Sequence, residues 1–74
     1  MKVTVKLFAT FREGREKIHV MELTENTTPE NIINALKIDK AEIAILLING
    51  RDGKMDRQLE EGDVVAIFPP VGGG

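Results

Sequence analysis

The feature that most restricts the fold of this chain is its last sixteen residues, Leu59–Gly74. A turn containing a glycine, which can adopt a positive φ angle, leads into the apolar run Val64–Phe68, whose residues favour a strand. Pro69 and Pro70 end that strand, because neither has an N–H to donate to a neighbouring strand. The fold must therefore release its C-terminus directly from the end of a strand.

The tail that follows this strand has the chemistry of a reactive terminus. Gly72, Gly73 and Gly74 have no Cβ, so they can pass through a channel too narrow for side chains. The proline pair and Val71 favour a stiff, extended spacer, and residues 69–74 span roughly 20 Å when extended. A carboxylate becomes an electrophile only as a mixed anhydride with phosphate, so we expect insertion into an activating partner enzyme. An inert, disordered tail is the alternative.

Length and composition indicate one small domain, residues 1–68, with a single core. The chain has 74 residues, 42% of them hydrophobic, and no cysteine, which excludes disulfides and cysteine metal sites. A net charge of −2 gives no electrostatic footprint for nucleic acid. No apolar run approaches the ~20 residues of a membrane helix, and Met1-Lys2 leads straight into a strand pattern. We expect a cytoplasmic protein with no signal peptide.

The N-terminal residues predict a strand with one aliphatic face. The aliphatic residues alternate with Phe8 and polar residues at a period of two, which places Phe8 on the opposite face from Val3, Val5, Leu7 and Ala9. A charged loop follows, and we expect Phe11 to pack it onto the core.

A second strand is predicted over roughly residues 16–22, with Ile18 and Val20 on one face. His19 lies on the other face, where we expect an exposed histidine. One imidazole without a partner makes neither a metal site nor a catalytic triad.

Thr28-Pro29 predicts the start of a helix, with a hydroxyl at the N-cap and proline at the first helical position. A capping box formed by Thr27 and Glu30 is an alternative that moves the boundary by one residue. The helix is short, ending near Lys37, and its apolar face contains Ile32, Ile33 and Leu36.

The continuous apolar run Ile43–Ile48 predicts a strand covered at least partly on both faces. Asn49-Gly50 ends the run and predicts a tight turn. We expect Met55 or Leu59 to anchor the irregular segment before the last strand.

The acidic residues do not form a catalytic constellation. Acid–base catalysis by paired carboxylates needs an apolar pocket that shifts a pKa, whereas the candidate pairs fall in loops or at strand edges: Glu13/Glu16, Glu22/Glu25 and Glu60/Glu61. The terminal glycines are not followed by a helix and cannot form a phosphate-binding loop. We therefore expect a carrier without its own catalytic groups, metal or cofactor.

The C-terminal segment Glu61–Val71, followed by Gly73-Gly74, resembles the end of the molybdopterin synthase small subunit. The N-terminal segment Val3–Ala9, followed by Arg12-Glu13, is similar to that family's first strand and loop, and Ile48-Asn49-Gly50 matches a common mid-chain turn. The resemblance covers the whole chain and points to the MoaD/ThiS family of ubiquitin-like sulfur carriers, which includes the thiamin-pathway carrier and has the small archaeal modifiers as near relatives.

The resemblance implies an α+β fold of the ubiquitin-like β-grasp type, a mixed sheet of four to five strands with one main helix on one face. The first and last strands would lie parallel in the centre. Counting at a period of two then places Val5, Leu7, Val65 and Ile67 under the helix. A partner-binding patch would lie on the opposite, open face and would contain Phe8, Val64, Ala66 and Phe68.

The resemblance also implies a mechanism. An adenylating enzyme of the ubiquitin-activating, MoeB/ThiF type would use ATP and magnesium to form an acyl-adenylate at Gly74. A sulfur donor would displace AMP and leave a C-terminal thiocarboxylate. The tail would then enter a MoaE-like large synthase subunit, where its sulfur passes to a pterin precursor. Gly72 and Gly73 would give passage, and the three residues from Pro69 to Val71 would act as a spacer.

Two other pathways remain open. The thiamin-pathway carrier also ends in a glycine pair, and Gly72 stands where many molybdopterin-type carriers have a larger residue. A protein modifier would use the same adenylate to join Gly74 to a lysine of another protein.

Overall fold

The computed structural model describes residues 1–70. The expectations for Val71, Gly72, Gly73 and Gly74 therefore lie outside the described residues. Residues 1–70 form five strands and one α-helix, together with two short 3₁₀ turns at Ala9–Arg12 and Lys40–Glu42. In chain order the regular elements are β1 (Lys2–Leu7), β2 (Ile18–Glu22), α1 (Pro29–Ala35), β3 (Ile45–Ile48), β4 (Arg51–Asp52) and β5 (Val64–Phe68).

The strands form one mixed sheet in the order β2-β1-β5-β3-β4. β1 and β5 pair in parallel at its centre, with Val5 opposite Val65 and Leu7 opposite Ile67. β2 pairs antiparallel with β1, and β3 pairs antiparallel with both β4 and β5. The predicted mixed sheet with parallel central strands is confirmed.

Alternation along the central strands divides the sheet into two faces. Val3, Val5 and Leu7 of β1 and Val65 and Ile67 of β5 have no exposed surface. They form one core cluster with Ile32 and Ile33 of α1, as the pattern predicts. Phe11 and Leu59 are also buried in this cluster, and Met55 packs against it, which confirms the expected anchors of both irregular segments. The face that carries this cluster is the inner face, and the opposite one is called the open face below.

A reciprocal pair of hydrogen bonds begins α1. Asn31 donates its backbone N–H to the hydroxyl oxygen of Thr28, and the backbone N–H of Thr28 donates to the amide oxygen of Asn31. Thr28 is therefore the N-cap, with proline at the next position, as predicted. The alternative box is wrong, because the Thr27 hydroxyl donates to the carbonyl oxygen of Thr24 instead, at 2.7 Å.

A side-chain network fixes the start of β5 against the β3–β4 turn. Asn49 and Gly50 both have positive φ angles, 55° and 81°, as a tight two-residue hairpin turn requires. The Asn49 amide donates to the buried Asp63 carboxylate at 2.9 Å, and its oxygen accepts the backbone N–H of Val64 at 2.9 Å. The other oxygen of Asp63 accepts the N–H of Glu60 at 2.8 Å. This network sets where the last strand begins.

Two expectations about individual positions are wrong. Ala9 is exposed in a 3₁₀ turn with φ 52°, because β1 ends at Leu7 and does not continue to residue 9. His19 is half-buried on the inner face, because it lies opposite Val5; its Nε2 has no hydrogen-bond partner among residues 1–70. The strand predicted within Ile43–Ile48 is β3, and it is partly covered on both faces as expected: Leu46 and Ile48 are buried on the inner face, while Leu47 is half-buried and Ile45 is 48% exposed on the open face.

The Asn49 network gives a stability prediction. Asn49→Gly removes both side-chain hydrogen bonds, while glycine accepts the positive φ angle. We expect a loss of about 2 kcal/mol in the free energy of unfolding, because a buried Asp63 oxygen loses its donor. Urea denaturation measures this loss. Asn26→Gly is the matched control, since Asn26 is likewise exposed and has positive φ but takes no part in this network, and its expected change is within about 0.5 kcal/mol. Equal losses in the two variants would contradict the assignment.

Candidate functional site

Two phenylalanines meet where the C-terminal tail leaves the sheet. β1 and β5 run parallel and end at the same edge, so Phe8, which follows β1, lies beside Phe68, the last residue of β5. Their ring centroids are 4.2 Å apart and the ring planes differ by 12°, which is a stacked pair. Both rings are only partly buried. The structure therefore brings the two predicted aromatic residues together at the base of the tail.

An arginine completes this stack. The guanidinium carbon of Arg12 lies 5.3 Å from the centroid of the Phe8 ring, within the range of a cation–π interaction. Its Nε donates to the carbonyl oxygen of Leu7 at 2.9 Å, which fixes the plane of the group. Sequence reasoning placed Arg12 only in a loop, because its distance from Phe8 depends on the 3₁₀ turn between them.

The loop that carries Arg12 is anchored to the core and to the C-terminal end of α1. Phe11 is buried at 5% exposure in the core. The Nε of Arg15 donates to the carbonyl oxygen of Leu36 at 3.3 Å, and Nη2 donates to that of Lys37 at 3.4 Å, so this guanidinium caps the C-terminus of α1. These anchors hold the loop, and hence Phe8 and Arg12, against the end of the sheet.

The aromatic pair belongs to a wider apolar surface, here called the aromatic patch and defined as Phe8, Phe68, Val64, Ala66, Ile45 and Leu47. All six side chains lie on the open face, since Ile45 is opposite Phe68 and Leu47 is opposite Ala66 in the β3–β5 pair. The predicted members Val64 and Ala66 are half-buried. The β3 residues were missed because a continuous apolar run does not reveal which residues face outwards.

The tail starts from a fixed point. The carbonyl oxygen of Phe68 accepts the backbone N–H of Ala44 at 2.9 Å, so hydrogen bonding to β3 continues to the end of β5. Pro69 is half-buried and Pro70 is exposed. The chain therefore leaves the sheet directly beside the aromatic patch.

The charged residues in the described part of the chain form no second candidate site. All six members of the predicted glutamate pairs are exposed, and residues 1–70 contain no group of three or more potential metal ligands. The pKa of Lys40 is raised by its hydrogen bond to Glu30 and by the charge of that carboxylate, but this pair lies on α1 and the following 3₁₀ turn. None of the helices in residues 1–70 has the length and hydrophobicity that a membrane crossing requires.

Comparison with known proteins matches this geometry to one family. The model of the ThiS family matches residues 5–74. Small archaeal modifier protein 3 of Haloferax volcanii is 32% identical over 94 aligned positions, which cover the full length of both chains. The structure of the Pyrococcus furiosus protein described as putative molybdopterin converting factor, subunit 1, is 32% identical, with a TM-score of 0.77 over 96% of this chain and 99% of that one.

A second solved structure shows the fold alone. Subunit 1 of the molybdopterin-converting factor from Helicobacter pylori, solved in complex with subunit 2, is 22% identical, with a TM-score of 0.68 over the full length of both chains. The five-stranded mixed sheet with one helix is thus the ubiquitin-like β-grasp fold that the resemblance implied. Because the family model matches nearly the whole chain, this protein belongs to the ThiS family of ubiquitin-like β-grasp proteins, which includes the MoaD-type sulfur carriers.

Proposed function

We propose that this protein carries sulfur as a thiocarboxylate on Gly74 and donates it to a pterin precursor in molybdopterin biosynthesis. The observation that carries the proposal is the stacked Phe8–Phe68 pair, at 4.2 Å, at the point where a tail of two prolines, a valine and three glycines begins. A partner that binds the aromatic patch receives the tail directly into its own interior. The geometry of β5 therefore couples binding of a partner to the aromatic patch with entry of the tail into that partner.

The chemistry proceeds in three steps, all within partner enzymes. The Gly74 carboxylate attacks the α-phosphorus of ATP, which gives an acyl-adenylate and releases pyrophosphate; magnesium stabilises the charge that develops on the phosphates. The sulfur of a donor then attacks the acyl carbon and displaces AMP. With a persulfide donor this step gives an acyl disulfide, and a thiol then attacks its S–S bond, which releases the thiocarboxylate and leaves the donor sulfur in a disulfide with that thiol. Transfer of that sulfur to the pterin precursor, with water supplying the replacing oxygen, regenerates the carboxylate.

The residues of this chain position the reacting group. Phe8 and Phe68, with Val64 and Ala66 beside them, form the docking surface, because exposed aromatic side chains give large contact areas at low entropic cost. The spacer from Pro69 to Val71 carries the carboxylate away from the body, and the small glycines fit a narrow channel. Catalytic groups belong to the partners, and this chain supplies a positioned substrate.

Two partners follow from the proposed chemistry. One is an adenylating enzyme of the MoeB/ThiF type, which binds ATP and magnesium. The other is a large synthase subunit of the MoaE type. Support comes from the 32% identical Pyrococcus furiosus protein, a putative subunit 1 of a molybdopterin converting factor. The Helicobacter pylori protein, which has the same fold, was solved with its subunit 2.

Protein modification is the second candidate function. The observation that favours it is the 32% identity, over both full lengths, to small archaeal modifier protein 3. In this case the acyl carbon of Gly74 is attacked by a lysine amine instead of a sulfur donor. A third route, delivery of sulfur to thiamin, is suggested by the name of the matched family and uses the same thiocarboxylate. The three candidate functions differ in the nucleophile that attacks the acyl carbon of Gly74 and in the molecule that finally accepts the sulfur or the carrier.

Removal of Gly74, or its amidation, tests the reactive terminus. We expect sulfur transfer in a reconstituted system of activating enzyme, sulfur donor and ATP to fall below detection, because amidation blocks the carboxylate and removal of Gly74 leaves the new carboxylate, on Gly73, about 3.3 Å short of the nucleotide. The unfolding temperature should be unchanged, since no described core contact involves the tail. The control is a terminal extension that a protease removes to regenerate Gly74, after which transfer returns. Normal transfer by the blocked protein would contradict the mechanism.

Phe68→Ala tests the docking surface. We expect at least a tenfold loss in affinity for the activating enzyme, measured by calorimetry, because a partly exposed aromatic anchor is removed. The loss in unfolding free energy should stay near 1.5 kcal/mol or less, since the ring is only half-buried and its stacking contributes about 1 kcal/mol.

Ile67→Ala is the matched control in the same strand. Ile67 is fully buried on the inner face, so its truncation should cost about 2–5 kcal/mol of stability. The folded fraction of this variant should still bind with nearly the affinity of the unmodified protein. A Phe68→Ala protein with unchanged affinity and a large loss of stability would show that Phe68 acts as a core residue.

A further inference from the structure

The two edges of the sheet differ in how they are protected. β4 forms one edge and has only two residues, the charged pair Arg51-Asp52, which is a common way to prevent unwanted pairing. β2 forms the other edge and has five residues, Ile18–Glu22. No strand in the described part of the chain pairs with the outer side of β2. This edge is therefore open to another strand.

The register of the β1–β2 pair shows which backbone groups point outwards. Met1 and Leu23 exchange two hydrogen bonds of 2.7 Å, and the N–H of Leu7 donates to the carbonyl oxygen of Lys17 at 2.8 Å. Because hydrogen-bonded pairs alternate in an antiparallel ladder, residues 19 and 21 also bond to β1. The N–H and C=O groups of Ile18, Val20 and Glu22 consequently point away from the sheet.

The same three residues present their side chains on the open face. Ile18 is opposite Lys6, Val20 is opposite Thr4 and Glu22 is opposite Lys2. Ile18 is 50% exposed and Val20 is 67% exposed, and they are among the most exposed large hydrophobic residues of the protein. Free backbone groups and exposed β-branched side chains thus coincide on one short strand, which is the arrangement that favours addition of a strand.

We propose that β2 pairs with β2 of a second copy of this chain, antiparallel and centred on Val20. The two-fold axis is perpendicular to the sheet, so the two open faces lie on the same side of one continuous sheet. Val20 lies opposite Val20 of the other copy, and Ile18 lies opposite its Glu22. Symmetry adds the pair of Glu22 with Ile18 of the other copy, which makes three pairs, each joined by two backbone hydrogen bonds. Every outward-pointing residue of β2 therefore takes part.

Charge favours this partner and this register. The Glu22 side chain is 71% exposed. In the dimer it lies on the open face next to Ile18 of the other copy, and Ile18 in turn lies next to Lys6 of that copy. Lys2 of its own chain lies directly beside Glu22 on the other side, whereas Lys6 of the other copy lies beyond Ile18. Within its own chain the carboxylate is also 3.9 Å from the N-terminal amine of Met1. A shift of two residues that sets Ile18 opposite Val20 also sets Glu22 opposite Glu16, and like charges directly opposite each other destabilise a sheet.

The dimer leaves the surface that the proposed carrier function uses accessible to partners. β5 is separated from the β2 edge by β1, so Phe68 and the start of the tail stay uncovered in both copies. The antiparallel arrangement places the two tails at opposite ends of the joined sheet. Pairing along five residues gives an interface below the ~1,200 Å² of stable complexes, so we expect a weak dimer that forms with rising concentration.

Val20→Pro tests the pairing. Proline removes an N–H that has no hydrogen-bond partner within residues 1–70, so edge strands tolerate it at such a position. We expect sedimentation of the unmodified protein to show a weight-average mass that rises from 8.2 kDa towards twice that value at millimolar concentration. Val20→Pro should remain monomeric, with an unchanged circular dichroism spectrum. Val20→Thr, which keeps the N–H and the β-branch, should still dimerise. A monomer at all concentrations in the unmodified protein overturns the proposal.

Amide hydrogen exchange of the unmodified protein gives a second, independent test. His19 and Met21 bond to β1, so their amides should be protected at every concentration. The amides of Ile18, Val20 and Glu22 should exchange rapidly in dilute solution and at least tenfold more slowly at millimolar concentration. Concentration-dependent protection at β4 or at the aromatic patch, with no change at these three amides, would show that a different surface associates.

Discussion

The parallel pairing of β1 with β5 is the interaction on which the rest of the structure depends. It joins the two ends of the chain, with Val5 beside Val65 and Leu7 beside Ile67, and all four side chains are fully buried. Because parallel strands end at the same edge, the pairing also places Phe8 beside Phe68. Core formation and assembly of the aromatic patch are therefore consequences of a single register.

Strict alternation lets one strand serve two purposes without conflict. The inward residues of β5 stabilise the fold, and the outward residues Val64, Ala66 and Phe68 remain half-exposed for a partner. A shift of one residue in the register would reverse the two sets. The Asn49–Asp63 network, which fixes the N–H of Val64, protects against such a shift. It thereby fixes which residues of β5 face outwards and where Phe68 lies at the end of the strand.

The sequence was sufficient to predict features that depend on local chemistry. Thr28-Pro29 marked the helix start, Asn49-Gly50 marked the tight turn, and alternation in β1 and β5 identified the buried side of each strand. The parallel central pair came from the resemblance to a known family. Local pattern alone does not fix which strands become neighbours, and the patch depends on that choice.

The predictions that failed concern features that depend on tertiary structure and not on the local sequence pattern. Ala9 continues the alternating pattern but leaves the strand, because Phe11 turns inwards to the core. His19 was expected on the exposed face, yet pairing with Val5 turns it inwards. The continuous apolar run Ile43–Ile48 did not show which of its faces is buried, since that depends on the pairing of β3 with β5. Arg12 reaches Phe8 through a 3₁₀ turn that no sequence period indicates.

The central claim is that Gly74 becomes a thiocarboxylate, and mass spectrometry of the protein from its own host tests it most directly. Arg57 is the last basic residue, so trypsin releases Gln58–Gly74 as one terminal peptide. Rapid isolation without strong nucleophiles preserves the labile group, and a synthetic thiocarboxylate peptide checks that it survives. The account predicts this peptide with one terminal oxygen replaced by sulfur. Recovery of the plain carboxylate alone, while the synthetic standard survives, would contradict it, and the same peptide branched onto lysines would identify a protein modifier.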